Sequence, residues 1–73
     1  MESESVDKVF FLTPRERDVI KLVLMGDSNQ SIAKKLNVSV QTVITHRRNI
    51  REKTGASNVS SLNKVLQDHG IFI

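Results

Sequence analysis

Residues 40–53 read VQTVITHRRNIREK, and this stretch predicts a helix with two unlike faces. Val43 and Ile50 lie seven positions apart, so a helix places both side chains on the same apolar face. Because successive residues are rotated by roughly 100° about the axis, the opposite face carries polar and charged side chains: Gln41, Thr45, Arg48 and Glu52. Such a helix suits insertion into the major groove of DNA, where arginine can contact guanine through two hydrogen bonds. A solvated amphipathic helix shows the same pattern, so the flanking sequence has to decide.

The residues that precede this stretch favour a helix-turn-helix motif. Ser28 can cap a short helix over residues 29–36, which has apolar residues at helical spacing. Asn37 tolerates a left-handed backbone, Val38 can return to the core, and Ser39 can cap the following helix. Three residues between a short helix and a longer one form the connection of a helix-turn-helix. An ordinary helical hairpin is the alternative.

Two outer helices complete the prediction of an all-α, four-helix fold. The first begins at Thr13, which can act as N-cap; Pro14 suits the first helical position, and Glu16 can close a capping box. The last carries an apolar stripe made of Val59, Leu62, Val65 and Leu66. The predicted helices span about 14–25, 29–36, 40–53 and 59–68.

Length and composition describe one small domain. The 73 residues contain no cysteine, and His46 and His69 lack the spacing of metal ligands, so we expect no metal or other cofactor. No apolar run approaches the ~18 residues that span a bilayer, and the acidic start is unlike a signal peptide. We therefore expect a cytoplasmic protein with no membrane partner. Catalytic triads, phosphate-binding glycine loops and carboxylate pairs are missing, so we do not expect an enzyme.

The charges of the chain are unevenly distributed. The net charge is only +3, but residues 1–7 hold three acids and no base, whereas residues 34–53 hold six bases and the single acid Glu52. Bases concentrated in one segment indicate a surface that binds a polyanion. We expect residues 1–11 to form a flexible acidic tail or the remnant of a linker, and residues 12–73 to form the domain.

Four motifs in this order resemble the LuxR/GerE-type helix-turn-helix domain. They are LTPRERDVI (12–20), SNQSIA (28–33), TVITHRRNI (42–50) and KTG (53–55). The resemblance covers about residues 12–68 without a gap. It implies a four-helix DNA-binding domain of a bacterial transcriptional regulator, with the third helix in the major groove of double-stranded DNA. It also implies a fourth helix that often mediates dimerisation, and an upstream receiver or ligand-sensing domain that this chain does not contain.

The chain departs from the family pattern at several positions. Ser31 stands where the family usually has Glu, which leaves the capping box of the second helix incomplete. Thr54 and Ala56 replace Leu and Val, so the end of the third helix is less apolar. Ile44 and Thr45 stand where many relatives carry Lys and Val, so the recognised DNA sequence cannot be inferred from those relatives.

We predict two sets of DNA contacts on and beside the third helix. Arg48 is the first candidate for reading a base, bidentate to guanine, although phosphate contacts outnumber base contacts in general. The candidate base contacts are Arg48, Thr45, Ile44 and Gln41. The candidate backbone contacts are Thr42, Ser39, His46, Arg47, Lys34, Lys35, Arg51 and Lys53. Lys53 has a second interpretation, as an ion-pair partner of Glu16, and mere exposure or packing is the alternative for several of the others.

The fourth helix is the predicted dimer interface. Its assigned residues are Val59, Leu62, Asn63 and Leu66. The alternative is that its large apolar residues all pack inward. A homodimer on DNA is therefore an expectation that follows mainly from the resemblance.

Two other functions fit parts of the pattern. The promoter-binding fourth region of a sigma factor also contains a helix-turn-helix after a similar first motif. A helical protein-interaction module that never touches DNA is the second alternative. The motif over residues 42–50 and the fourth helix favour the LuxR-type regulator over both.

Overall fold

The protein is described by a computed structural model over residues 11–71 and 73. Four helices follow one another: α1 (Pro14–Leu24), α2 (Asn29–Leu36), α3 (Val40–Thr54) and α4 (Val59–Asp68). The described residues contain no strand. The all-α prediction is therefore confirmed, and each predicted helix boundary is correct to within one residue. The predicted acidic tail lies outside the described residues except for Phe11, which is exposed.

Each helix begins at a side chain that accepts a hydrogen bond from the backbone of its first turn. At α1 the capping box is complete, because Glu16 N–H donates to Thr13 Oγ1 (3.1 Å) and Thr13 N–H donates to Glu16 Oε1 (2.9 Å). At α2 only half of the box exists, because Ser31 N–H donates to Ser28 Oγ but Ser31 has no carboxylate to return the contact. The corresponding caps are Ser39 for α3 and Asn58 for α4. Local sequence thus sets where the helices start.

Left-handed residues end the two helices that form the motif. Asn37 closes α2 with φ 60° and ψ 46°, and Gly55 closes α3 with φ 73°. Asparagine is one of the few residues with a side chain that adopts this conformation at modest cost, so the turn after α2 forms without glycine. The chain then reverses abruptly and Val38 packs against the core, as predicted.

The core lies where α1, α2 and α3 meet, and α4 covers one side of it. Val19 and Ile20 of α1, Ile32 of α2 and Val43 of α3 have no exposed surface. Ala33, which is also buried, is small enough to let α2 and α3 cross closely. The apolar face predicted for α3 is therefore the face that holds this helix on the domain.

The prediction of the dimer interface is corrected, because two of its residues are buried in the core. Leu62 is 7% exposed and Leu66 is 2% exposed, and both belong to the core cluster of the chain itself. A side chain that already fills the core cannot also pack against a second copy. Of the four assigned residues, only Val59 and Asn63 remain exposed.

A buried ion pair joins α1 to the end of α3. Lys53 Nζ lies 2.7 Å from Glu16 Oε1 and also donates to the Phe11 carbonyl oxygen at 2.9 Å. The Glu16 side chain is 4% exposed and that of Lys53 is 24% exposed. The interpretation of Lys53 as the partner of Glu16 is confirmed. Its assignment as a phosphate contact stays a prediction, and a less favourable one, because the ammonium group already serves two acceptors of the fold.

Candidate nucleic-acid interface

The turn between α2 and α3 fixes how α3 sits on the domain. Val38 N–H donates to the Ala33 carbonyl (3.0 Å) and Asn37 N–H donates to the Lys34 carbonyl (3.3 Å), so the turn is tied to the end of α2. The Ser39 hydroxyl then accepts from Thr42 N–H (3.1 Å). With Val43 and Ile50 buried behind it, α3 has one side held by the core and one side directed to solvent.

All four predicted base-contact residues lie on the solvent side of α3. Gln41, Thr45 and Arg48 are exposed, and Ile44 is 37% exposed. They are spaced i, i+3, i+4 and i+7 over about two helical turns, so they form one continuous surface. We call this surface, made of Gln41, Ile44, Thr45 and Arg48, the reading face.

Sequence reasoning missed one residue beside the reading face. Val40, the first residue of α3, is 38% exposed although it is apolar. Its position could have been predicted from the sequence, since Val40 precedes Ile44 by four positions and a helix therefore places both on the same side. The two exposed apolar side chains can contact thymine methyl groups.

The hydroxyls at the start of α3 already have partners in each other. Ser39 Oγ and Thr42 Oγ1 lie 2.8 Å apart, and Ser39 also serves as the N-cap. Ser39 is exposed and Thr42 is half-buried. Both therefore stand at a helix N-terminus, a position that favours a phosphate oxygen.

Arg47 projects from α3 toward the start of α2. Its stem is half-buried and its Nη1 donates to Asn29 Oδ1 at 2.9 Å. The packed stem agrees with the sequence prediction, but the contact with Asn29 was not foreseen. Arg47 forms part of a cleft of about 220 Å³ that is lined by Asn29, Ile44, Arg47, Arg48 and Arg51. We call it the arginine cleft.

The other predicted backbone contacts differ in what surrounds them. Lys34 is exposed, whereas Lys35 Nζ lies 2.8 Å from Asp27 Oδ2 in an ion pair whose lysine is half exposed. His46 is half-buried and is one of the groups that lower the pKa of the Glu16 carboxyl. Arg51 is exposed. The structure thus brings Arg47 and Arg51 together with Ile44 and Arg48 of the reading face, whereas Lys35 is paired with Asp27.

The surroundings of Glu16 favour the charged form of its carboxyl group. Burial pushes the pKa of this carboxyl upward, but the hydrogen bond from Lys53, the Thr13 N–H and the charges of Lys53 and His46 together outweigh it. The pKa of Glu16 is therefore held below its ordinary value. The carboxylate is thus a permanent counter-charge for Lys53 near neutral pH.

These features define a helix-turn-helix domain whose second motif helix exposes a polar and cationic face. The sequence matches the profile of the family described as bacterial regulatory proteins, luxR family, over residues 11–66. The match covers more than half of the chain, and the chain belongs to this family.

Individual relatives agree with this membership. The chain is 43% identical over 60 residues to the transcriptional regulatory protein MctR of Rhizobium johnstonii, an alignment that covers 82% of this chain and 28% of that protein. It is 41% identical over 51 residues to the tetrathionate response regulatory protein TtrR of Salmonella typhimurium, covering 70% of this chain and 25% of that protein. It is 33% identical over 65 residues to the transcriptional regulatory protein FixJ of Bradyrhizobium diazoefficiens, covering 89% of this chain and 32% of that protein.

The chain spans between about a quarter and a third of the length of these relatives. No solved structure matches it with significance. In the part of the chain that the structure describes, no helix has both the length and the apolar character needed to cross a membrane.

Proposed function

We propose that this domain binds double-stranded DNA in a sequence-specific manner and thereby regulates transcription, with α3 lying in the major groove. The observation that carries the proposal is the arrangement of α3. Its apolar side is buried in the core while the reading face is left in solvent beside the arginine cleft. A major groove about 12 Å wide admits a helix presented in this way.

Each residue of the reading face has a chemical role in this proposal. Arg48 contacts guanine through its planar fork, which matches two acceptors on one base edge. Thr45 and Ile44 contact a thymine methyl group or the edge of a base. Gln41, near the start of the helix, hydrogen-bonds an adenine or a nearby phosphate. Because Ile44 and Thr45 differ from many relatives, the preferred sequence should differ as well.

The backbone contacts flank the reading face. Arg47, Arg51 and Lys34 supply positive charge, and Ser39 and Thr42 offer hydroxyls at the helix N-terminus. Lys35 and His46 remain in the proposal as weaker contacts, because each also interacts with an acid of the domain. Together these groups fix the orientation of α3, while the reading face supplies the sequence preference.

We further propose that two copies bind one site on DNA through α4. The exposed residues available for this contact are Val59 and Asn63, since Leu62 and Leu66 are in the core. Such a dimer would recognise two half-sites about one helical turn apart. The matched relatives are several times longer than this chain, which supports a sensor or receiver domain upstream of the DNA-binding domain in the bacterial cytoplasm.

The direct test is selection of bound sequences from a random pool of duplexes, followed by affinity measurements on the selected site. We expect a defined motif, and we expect Arg48→Ala to lower discrimination at one position by about 1–3 kcal/mol. Arg15→Ala is the matched control, because Arg15 is an exposed base on α1 that pairs loosely with Asp18 at 3.6 Å. It should leave discrimination unchanged.

Two results would contradict the proposal. One is duplex affinity that does not respond to salt or to Arg48→Ala, which would favour a protein-interaction module. The other is tight binding to core RNA polymerase without DNA, which would favour a sigma-factor region. A site without two-fold symmetry would contradict the dimer alone.

A further inference from the structure

We propose that Asn29 is a positioning residue that holds Arg47 in place, so that Arg47 and Arg51 form a clamp for one DNA phosphate inside the arginine cleft. The inference rests on the proposed function, since it assigns a phosphodiester to a particular place on the same surface. Nothing in the sequence motif pointed to Asn29, because its contact with Arg47 joins residues 18 positions apart.

The arginine cleft follows one stripe of α3. Ile44, Arg47, Arg48 and Arg51 are spaced i, i+3, i+4 and i+7, so their side chains lie side by side along one helix face. Asn29, the first residue of α2, forms the opposite wall. The volume of about 220 Å³ equals that of roughly seven water molecules, which leaves room for a phosphate group and some of its water.

The cleft carries positive charge that the domain does not neutralise. Across residues 11–71 and 73, the bases that form ion pairs with acids are Arg15, Lys35, Lys53 and Lys64, none of which lines the cleft. Two guanidinium groups one turn apart can donate several parallel hydrogen bonds to the oxygens of one phosphate. A phosphodiester is therefore the anion that this arrangement fits best.

Asn29 has the chemistry of a positioning residue. Ser28 already caps α2, so the side chain of Asn29 is not needed there and instead accepts the hydrogen bond from Arg47 Nη1 at 2.9 Å. An amide oxygen orients the guanidinium without neutralising it, whereas a carboxylate at the same place would cancel its charge. Orienting a long side chain before binding lowers the entropy lost when the ligand arrives.

The neighbouring Arg48 has a different role from the two clamp residues. Arg48 lines the mouth of the same cleft but belongs to the reading face. A phosphate held by Arg47 and Arg51 would fix the depth and rotation of α3 in the groove next to the base that Arg48 contacts. The clamp therefore acts on affinity directly and on discrimination only through position.

The test uses Asn29→Asp, with Gln67→Glu as the matched control. Both changes add one negative charge with nearly the same shape, but Gln67 is exposed on α4 and lines neither the arginine cleft nor the reading face. Thermal unfolding is measured alongside duplex affinity at several salt concentrations. We expect Asn29→Asp to unfold no more easily than the parent protein, because its carboxylate lies beside Arg47 and at a helix N-terminus.

For DNA binding we expect Asn29→Asp to lower affinity about tenfold or more and to reduce the slope of log K against log salt by about one. Gln67→Glu should lower affinity less than threefold with the slope unchanged. When Arg47 is replaced by Met, adding Asn29→Asp should cost less affinity than it does in the parent protein, because the charge that it cancels is already gone.

Several outcomes would overturn the clamp. They are equal effects of Asn29→Asp and Gln67→Glu, an unchanged salt slope, or a full loss of affinity from Asn29→Asp in the Arg47→Met background. If the parent protein still selects a DNA sequence in those cases, the clamp fails and the proposed function stands. If the parent protein shows no salt-dependent duplex binding, the proposed function fails as well.

Discussion

Two parts of α3 carry similar cations in different surroundings. At the C-terminal end, Lys53 lies 2.7 Å from the buried carboxylate of Glu16 and is 24% exposed. Earlier along the helix, Arg48 and Arg51 are exposed and have no acid partner in the described part of the chain. The difference shows that a base on this helix is held by the fold where another helix supplies a counter-charge, and stays in solvent where none does.

The same contrast explains why the total charge of the chain says little. Four of the described bases are compensated by acids nearby, and two of these pairs join separate parts of the fold: Lys35 with Asp27 and Lys53 with Glu16. Of the described bases without an acid partner, Arg47, Arg48 and Arg51 lie on α3, Lys34 lies on α2, and Arg17 and Lys21 lie on α1. A net charge of +3 therefore conceals a strongly cationic patch.

The largest expected effect is the loss of stability when the ion pair at the C-terminal end of α3 is broken. Glu16→Ala removes the capping box of α1 and leaves Lys53 without its counter-charge, so we expect the free energy of unfolding to fall by about 3 kcal/mol. Glu16→Gln should cost about half as much, because its amide oxygen can still accept from Thr13 N–H. Urea unfolding of both variants measures this difference. Equal stability of Glu16→Ala and the parent protein would show that the pair contributes nothing to the fold.

Lowering the pH should weaken the ion pair at the C-terminal end of α3 before it affects the unpaired bases earlier in the helix. The pKa of Glu16 is lower in the folded protein than in the unfolded chain, so its stabilising contribution is complete above the unfolded pKa. That contribution is lost as the pH falls through the folded pKa. We expect the parent protein to lose more stability than Glu16→Gln between about pH 5 and about pH 3. Parallel pH profiles of the two proteins would contradict the assignment of this charge.

A smaller effect is expected in the turn that joins the two motif helices. Asn37 has φ 60°, and alanine pays a steric penalty there, so Asn37→Ala should destabilise the domain by about 1 kcal/mol. Asn37→Gly should remain close to the parent protein, since glycine adopts this conformation freely. Thermal unfolding distinguishes the two variants. Equal losses in both would mean that the asparagine side chain, and not the backbone conformation, stabilises the turn.

The sequence predicted most of what depends on neighbouring residues. Thr13 and Ser39 act as caps, and Asn37 takes the left-handed turn, because each of these roles is decided within a few positions of the chain. The buried side of α3 followed from the spacing of Val43 and Ile50. The helix bounds and the exposed reading face could therefore be predicted from the sequence alone.

The features that were missed depend on how separate helices pack. The burial of Leu62 and Leu66 could not be separated from dimerisation, because an apolar stripe has the same spacing whether it meets its own core or a second copy. The contact of Arg47 with Asn29 requires the start of α2 to lie beside the middle of α3. The contact of Lys53 with Glu16 was one of two roles predicted for this lysine, and it requires α1 to pack beside the end of α3.

The most direct measurement compares Arg51→Gln with Lys53→Gln, since both remove one positive charge from the same helix. For each variant, the salt dependence of duplex affinity is recorded together with the free energy of unfolding. We predict that Arg51→Gln reduces the salt slope by about one at unchanged stability. Lys53→Gln should lower stability by about 2 kcal/mol and leave the slope unchanged. A slope that falls equally in both variants would contradict the division of α3 into a paired end and a DNA-binding middle.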